Sequence, residues 1–207
     1  DPESLDAWDC ILRGSWHWSQ FNKEDNLAAR RSFERATELD SRSSDALAGL
    51  ADTHYSDIVE QYTDSLPQSV AELDQAARKS VDLDPNHPSA QLALGLATRV
   101  NGQTQETIAA ATRAMELNPS YSRAYAELAV TLAMAGRSQE ALEYTERGMR
   151  LSPREPMMWW FFQAASFAHF ADERYHEAVE WGKRLVQAYP GLASNWRILA
   201  SSYAQLG

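Results

Sequence analysis

One six-residue phrase recurs along the chain at a fixed interval, and it constrains the fold more than any other feature. The phrase ends at Pro85 as Ser-Val-Asp-Leu-Asp-Pro, at Pro119 as Ala-Met-Glu-Leu-Asn-Pro and at Pro153 as Gly-Met-Arg-Leu-Ser-Pro. Successive prolines are 34 residues apart. An interval of this length, filled by a helix–turn–helix pattern, is typical of proteins whose units stack on their neighbours. We therefore predict an all-α fold of stacked helical pairs.

Prolines and glycines mark the expected helix boundaries. A residue that precedes proline disfavours helix, so we expect second helices to stop at Asp84, Asn118 and Ser152. Gly102 and Gly136 should end first helices in a left-handed turn. The predicted units are approximately 5–41, 44–85, 88–119, 121–153 and 156–190, followed by a partial unit at 192–207.

Two units are longer than the repeat interval. From Ser41, which stands where the proline would be, to Pro85 the distance is 44 residues, and we expect the extra residues around 58–67 to lengthen the first helix and its turn. Unit five spans 37 residues. The chain starts in the middle of the pattern and stops where another helix should follow, so we expect it to be a fragment of a longer protein.

Composition argues against several classes of partner. The net charge of −10 disfavours nucleic acid and an anionic membrane surface. A single cysteine, Cys10, allows neither an internal disulfide nor a multi-cysteine zinc site. The apolar stretch 157–171 is too short to span a bilayer, and we predict a buried helix there. These features are compatible with the cytoplasm.

Catalysis and metal binding lack a recognisable pattern. The five histidines include no pair four residues apart with a nearby carboxylate. His54 lies close to Asp52 and Tyr55 in sequence, but no nucleophile with an oxyanion-forming turn accompanies it. We therefore predict no enzyme activity, no cofactor and no metal site.

The whole chain resembles tandem tetratricopeptide repeats. The resemblance is carried by Leu94-Gly95, Gly102 and Ala111 in unit three, and by Leu128-Ala129 and Gly136 in unit four. It implies a right-handed helical solenoid of about five helix pairs and a final single helix. It also implies a module that binds a protein or peptide, including another segment of the parent chain.

A narrower resemblance concerns the first unit and the start of the fifth. The first unit resembles a bacterial arrangement in which such repeats follow an effector domain, through Ala7-Trp8 to Gly14, His17-Trp18 and Ala29 to Asp40. The segment 152–156 before a Trp/Phe-rich helix resembles the same arrangement. The effector there is a class III adenylate/guanylate cyclase domain or an OmpR-type winged-helix domain. This implies the regulatory or interaction tail of a bacterial signalling or transcription protein in the cytoplasm. A membrane span upstream would make the domain periplasmic.

Family geometry places the first helices on a concave face, which would be the binding groove. Its predicted lining is apolar and aromatic, with arginines that could hold a carboxylate of the guest. The sequence equally allows the aromatic residues to pack against adjacent helices and the arginines to pair with Glu127 or Asp52. The groove candidates are Trp8, Trp18, Asp52, Tyr55, Leu92, Leu96, Arg99, Arg123, Glu127, Val130, Trp160, Gln163, Phe167 and Arg197.

Two alternatives to a peptide groove stay open at the level of sequence. One is a small-molecule sensor whose aromatic pocket lies near Trp159 to Phe170. The other is self-association, in which a homodimer of repeats would bring two effector domains together. A sensor should have a closed pocket with convergent polar groups, whereas a dimeriser should bury a large self-complementary patch.

Overall fold

A computed structural model describes residues 2–154 and 156–207, and this part of the chain forms eleven α-helices and no strand. The predicted all-α fold class is confirmed. Glu155, in the segment 152–156 of the narrower resemblance, lies outside the described residues. The helices are α1 (Pro2–Trp18), α2 (Lys23–Leu39), α3 (Ser44–Glu60), α4 (Leu66–Leu83), α5 (Pro88–Val100), α6 (Thr104–Leu117), α7 (Ser122–Met134), α8 (Ser138–Leu151), α9 (Met158–Ala171), α10 (Tyr175–Ala188) and α11 (Ala193–Leu206).

The helices are grouped in two compact units, one through Gln103 and one at Thr104–Gly207. In the first unit each helix contacts the next, and the first helices of successive pairs also meet, α1 with α3 and α3 with α5. The second unit repeats this pattern, since α7 contacts α9 and α9 contacts α11. Each unit is therefore built from helical pairs in which first helices lie side by side. The predicted pair at 88–119 is divided between the two units.

The turns inside the pairs are left-handed, as the glycines indicated. Gly102 and Gly136 have φ angles of 73° and 74°. After each of them the next backbone N–H donates to a carbonyl five residues back, for example from Arg137 to Leu132 at 2.9 Å. Glu173 occupies the same position after α9 with φ 59°, which sequence reasoning missed because no glycine marks it.

Three of the turns between pairs are closed by a side chain from the end of the preceding second helix. The side-chain oxygens of Asp40, Asp84 and Asn118 each accept the backbone N–H two residues further on, at 2.9, 3.0 and 3.1 Å. Asp and Asn form such turns readily because their short side chains mimic a backbone carbonyl. In these three turns the residue before the proline position therefore ends one helix and shapes the turn to the next.

The two long units differ in where their extra residues lie. The first helix of unit two, α3, has 17 residues, whereas α5 has 13, so α3 is longer by about one turn. This agrees with the predicted lengthening. In unit five the extra residues come mainly before the helix, because α9 begins five residues after Pro153 and α7 begins three residues after Pro119.

The interior of each unit is made largely of small side chains with a few large ones between them. In the first unit the ring of Phe33 on α2 fits against Gly14 on α1 and Gly49 on α3. In the second, Leu128 and Leu132 on α7 are about 1% exposed and pack with alanines of neighbouring helices. Small residues recur in the sequence because the helices cross closely at these points.

Candidate functional site

The first helix carries a row of large apolar side chains that face solvent. Leu5, Trp8, Leu12 and Trp16 are exposed to 70%, 52%, 51% and 60%. Their spacing of three or four residues places them on one side of α1. We call these four residues the α1 stripe. Clustered exposed apolar surface of this kind marks interaction sites more often than isolated exposed residues do.

Other groove candidates of the first unit join its helices to one another. Trp18 Nε1 on α1 donates to Ser56 Oγ on α3 at 2.9 Å. The Arg99 guanidinium on α5 lies 5.1 Å from the centre of the Tyr55 ring on α3 and also donates to the Tyr55 hydroxyl. Trp18, Tyr55 and Arg99 thus make contacts within the protein.

In the second unit, too, groove candidates contact other residues of the protein. Arg123 on α7 lies 5.9 Å from the ring centre of Trp160 on α9, a cation–π distance. Glu127 is completely buried, and its Oε1 accepts the Thr131 hydroxyl at 3.4 Å. Phe167 is partly buried and packs on the α7–α8 core. Arg197 on α11 is exposed.

Eight of the predicted groove residues have little contact with solvent. A guest can touch only exposed atoms, so these side chains contribute packing in this structure, contrary to the expectation that they line an open groove. The large apolar members are buried because the first helices lie side by side and cover one another's faces. The eight are Asp52, Tyr55, Leu92, Leu96, Glu127, Val130, Trp160 and Gln163.

The aromatic run of α9 is used for packing. The rings of Trp159 and Trp160 stack with centres 5.6 Å apart, and Phe162 meets Trp181 of α10 at 5.8 Å. Phe161 is completely buried. The predicted buried helix is therefore confirmed, and these rings contact protein where the sensor hypothesis would place a ligand.

A cleft between α2 and α4 was missed by sequence reasoning. Its volume is about 470 Å³, and its floor is formed by α3. Apolar side chains, including Leu47 and Leu50, lie beside polar ones, including His54, Glu72 and Lys79. We call it the His54 cleft. The second helices supply both its walls, whereas the sequence directed attention to the first helices alone.

Arg30, which lines this cleft, belongs to a network of buried polar groups. Arg30 Nη2 on α2 lies 2.6 Å from Asp57 Oδ2 on α3 and donates to the Thr53 carbonyl at 3.2 Å. Asn26 Nδ2 donates to Asp57 Oδ1 at 2.8 Å. The Arg30 and Asp57 side chains are only 19% and 9% exposed. The charge of Arg30 is therefore already matched inside the protein.

His54 lines the cleft, and its Nδ1 is closed to solvent. Its Nδ1 lies 3.2 Å from Glu72 Oε2 but is not aligned for a hydrogen bond, so within the described residues it has no hydrogen-bond partner. Gln68 donates to the other oxygen of Glu72 at 2.9 Å. Burial lowers the pKa of His54 below 6.5, and nearby Arg30 lowers it further, while Glu72 and Asp57 oppose this. The imidazole is consequently neutral at pH 7.

The described part of the chain brings together no group of three or more His, Cys, Asp or Glu side chains that could hold a metal ion. Cys10 is a free, partly buried thiol. None of the helices at 2–154 and 156–207 has the length and apolar character needed to cross a bilayer.

Two sequence comparisons bear on the family. Residues 110–143 match a family model described as a tetratricopeptide repeat. A stretch of 97 residues is 29% identical to "Putative adenylate cyclase 3" of Rhizobium meliloti (strain 1021). That match covers 47% of this chain but only 16% of the relative.

Solved structures resemble the chain over most of its length. The tetratricopeptide-repeat protein TTC0263 of Thermus thermophilus superposes with a TM-score of 0.68 at 16% identity, over 97% of this chain and 98% of that one. Pseudomonas aeruginosa PilF gives 0.60 at 18% identity, over 100% and 92%. YrrB, described as a tetratricopeptide-repeat protein with an unusual peptide-binding site, gives 0.50 at 18% identity, over 84% and 83%. At these identities the likeness shows the fold.

Proposed function

We propose that this chain, which has the tetratricopeptide-repeat fold and matches a tetratricopeptide-repeat model at residues 110–143, is a non-catalytic scaffold that binds a protein segment through the α1 stripe. The observation that carries the proposal is the exposure of Leu5, Trp8, Leu12 and Trp16 on one side of α1. The tetratricopeptide fold suggests a protein-interaction scaffold, and in YrrB, of the same fold, a peptide-binding site is described.

The chemistry of the α1 stripe favours the apolar face of a helix as its guest. Two of its four members are tryptophans, which often dominate the binding energy of protein interfaces. Four apolar residues along one helix face match the spacing with which an amphipathic helix presents its own apolar side chains. The guest can come from another protein or from another segment of the parent chain.

The proposed setting is the regulatory tail of a bacterial signalling or transcription protein in the cytoplasm. The identity of 29% with a cyclase-like protein supports a link to a nucleotide cyclase effector, and the resemblance in residues 7–18 is of the same kind. An OmpR-type winged-helix effector is the second possibility. In either setting the repeats would act on the effector by holding a partner.

Site-specific photo-crosslinking in the full-length parent protein tests the binding surface. Benzoylphenylalanine at Trp8 should give a discrete protein adduct, and the same group at Glu146, exposed on the second helix α8, should not. Leu12→Glu should abolish the adduct at Trp8, because it places a charge inside the α1 stripe. Equal adducts at both positions, or none at Trp8, would reject the α1 stripe as a binding surface.

The signalling context has a separate test in the reading frame upstream of residue 1. A cyclase or winged-helix domain joined without a membrane span supports a cytoplasmic regulatory tail. A signal peptide or a membrane span before the repeats contradicts the cytoplasmic assignment and leaves the scaffold role unchanged.

A further inference from the structure

We propose that the His54 cleft binds a lysine or arginine side chain from a basic peptide segment. The inference rests on the proposed peptide-binding role, but the cleft shares no residue with the α1 stripe. It also lies between two second helices, whereas the predicted groove was assigned to first helices.

The shape of the cleft suits a long side chain with an apolar stem. Leu47 on the α3 floor and Ala76 on the α4 wall are 5% and 8% exposed, so apolar side chains packed into the core lie at the bottom of the cleft. Its volume of about 470 Å³ is within the range of about 300–1,000 Å³ that is usual for ligand clefts. The methylene groups of lysine or arginine can cover apolar surface while the charged end reaches a polar group.

The charges around the cleft favour a cation. Asp57 lies 2.6 Å from Arg30 and neutralises its charge. The other charged residues of the lining are two carboxylates, Glu34 and Glu72, and one cation, Lys79. Glu72 is 39% exposed and can therefore meet a ligand. The net charge of −10 on the chain further attracts a basic partner over longer distances.

His54 supplies the second, independent feature. Its side chain is about nine-tenths buried, and its Nδ1 has no hydrogen-bond partner within the described residues. That nitrogen is closed to solvent, so it is not itself a contact for the ligand, but the neutral ring places no positive charge against a cation at Glu72. Glu72 Oε2, at 3.2 Å, provides a charged acceptor beside it. The site for a positively charged donor is therefore the Glu72 carboxylate, with the imidazole of His54 beside it.

An NMR titration of the isotope-labelled protein tests this at pH 7.5. The probe is a capped pentapeptide with lysine at its centre between alanine and glycine residues, and the comparison peptide has norleucine there. The lysine peptide should shift the amide signals of α2, α3 and α4 around the cleft and bind about tenfold more tightly than the norleucine peptide. Equal affinity of the two peptides would overturn the proposal, as would tighter binding of a peptide with glutamate at the centre.

Glu72→Gln should lower the affinity for the lysine peptide about tenfold, because it removes the charged acceptor and keeps the shape. Glu143→Gln is the matched control, since Gln139 donates to Glu143 on α8 as Gln68 does to Glu72 on α4. Unchanged circular dichroism and thermal melting would establish that both variants fold. If Glu72→Gln binds the lysine peptide as well as the native protein does, the assignment of Glu72 is wrong.

Acidification gives a further check. Protonation of His54, which faces Arg30, Asp57 and Glu72, places a positive charge where the ligand cation should sit. Affinity for the lysine peptide should therefore fall severalfold as the pH is lowered through the folded-state pKa of His54, which lies below 6.5, and it should fall less in His54→Gln. An identical pH dependence in that variant would contradict the role of His54. Failure of these tests while adducts form at Trp8 would leave the scaffold role intact.

Discussion

Gly148 on α8 lies directly against the ring of Phe161 on α9. A Cβ atom at Gly148 would overlap the edge of the Phe161 ring and would stand 3.0 Å from Tyr125 Cβ. There is no room for that atom, so the glycine is required for the helices to approach as they do. This contact explains why a glycine opens the phrase that ends at Pro153.

Gly148→Ala should destabilise the protein by about 1–3 kcal/mol, because the added methyl group overpacks the interior. Urea denaturation measures the change in the free energy of unfolding. In a Phe161→Leu background the same substitution should cost less, since the smaller side chain leaves room. An equal cost in both backgrounds would show that the ring is not what limits the site.

Asp57→Ala should destabilise by about 3 kcal/mol, because it leaves the largely buried charge of Arg30 without its carboxylate. Glu146→Ala is the control, since Glu146 pairs with Arg150 at 3.3 Å on the surface, where both side chains are 71% exposed. The control should show no measurable change in unfolding midpoint. Comparable effects of the two substitutions would mean that burial of the pair has little energetic weight.

Glu173→Gly should stabilise the protein by about 0.5–1 kcal/mol, because Glu173 has φ 59°, a left-handed conformation that disfavours side chains with a Cβ atom. Gly136→Ala, in the equivalent turn with φ 74°, should destabilise by about 1 kcal/mol for the same reason. Thermal melting should move in opposite directions for the two variants, and a shift in the same direction would refute the account.

Stability should decrease as the pH falls from about 6.5. Burial lowers the pKa of both His54 and His169 in the folded protein from 6.5, so in this window the unfolded chain binds more protons. The loss continues until the pH passes the folded-state pKa values. Urea denaturation at pH 7.5, 6.5 and 5.5 measures it, and His54→Gln with His169→Gln should flatten the dependence. An unchanged slope in the double variant would assign the effect to other groups.

The fold followed from the sequence because its signals are local. The prolines, the turn glycines and the recurring alanines each act on a neighbouring turn or crossing, and they fix the helix pattern without knowledge of distant contacts. The left-handed turn at Glu173 was not predicted, because its φ of 59° is imposed on a residue type that does not favour this conformation.

The candidate site was far less predictable. Family geometry orients a side chain, but it does not say how much of that side chain a neighbouring helix covers, so Leu92 and Val130 were expected to be accessible and are buried. The His54 cleft depends on Arg30, His54 and Glu72, which lie on three helices and more than 15 residues apart in sequence. The one sequence signal that pointed to the cleft was the greater length of unit two, which predicted a longer first helix there.

Asp57 lies in the extra turn of α3, beyond the point where a first helix of 13 residues would end. Stacked repeats are in principle exchangeable, because each carries the same fold and contacts only its neighbours. Here the inserted turn holds the carboxylate on which Arg30 of the preceding repeat depends. A standard-length repeat substituted for unit two would leave the Arg30 charge buried without a carboxylate. Units one and two therefore have to be transplanted or redesigned together.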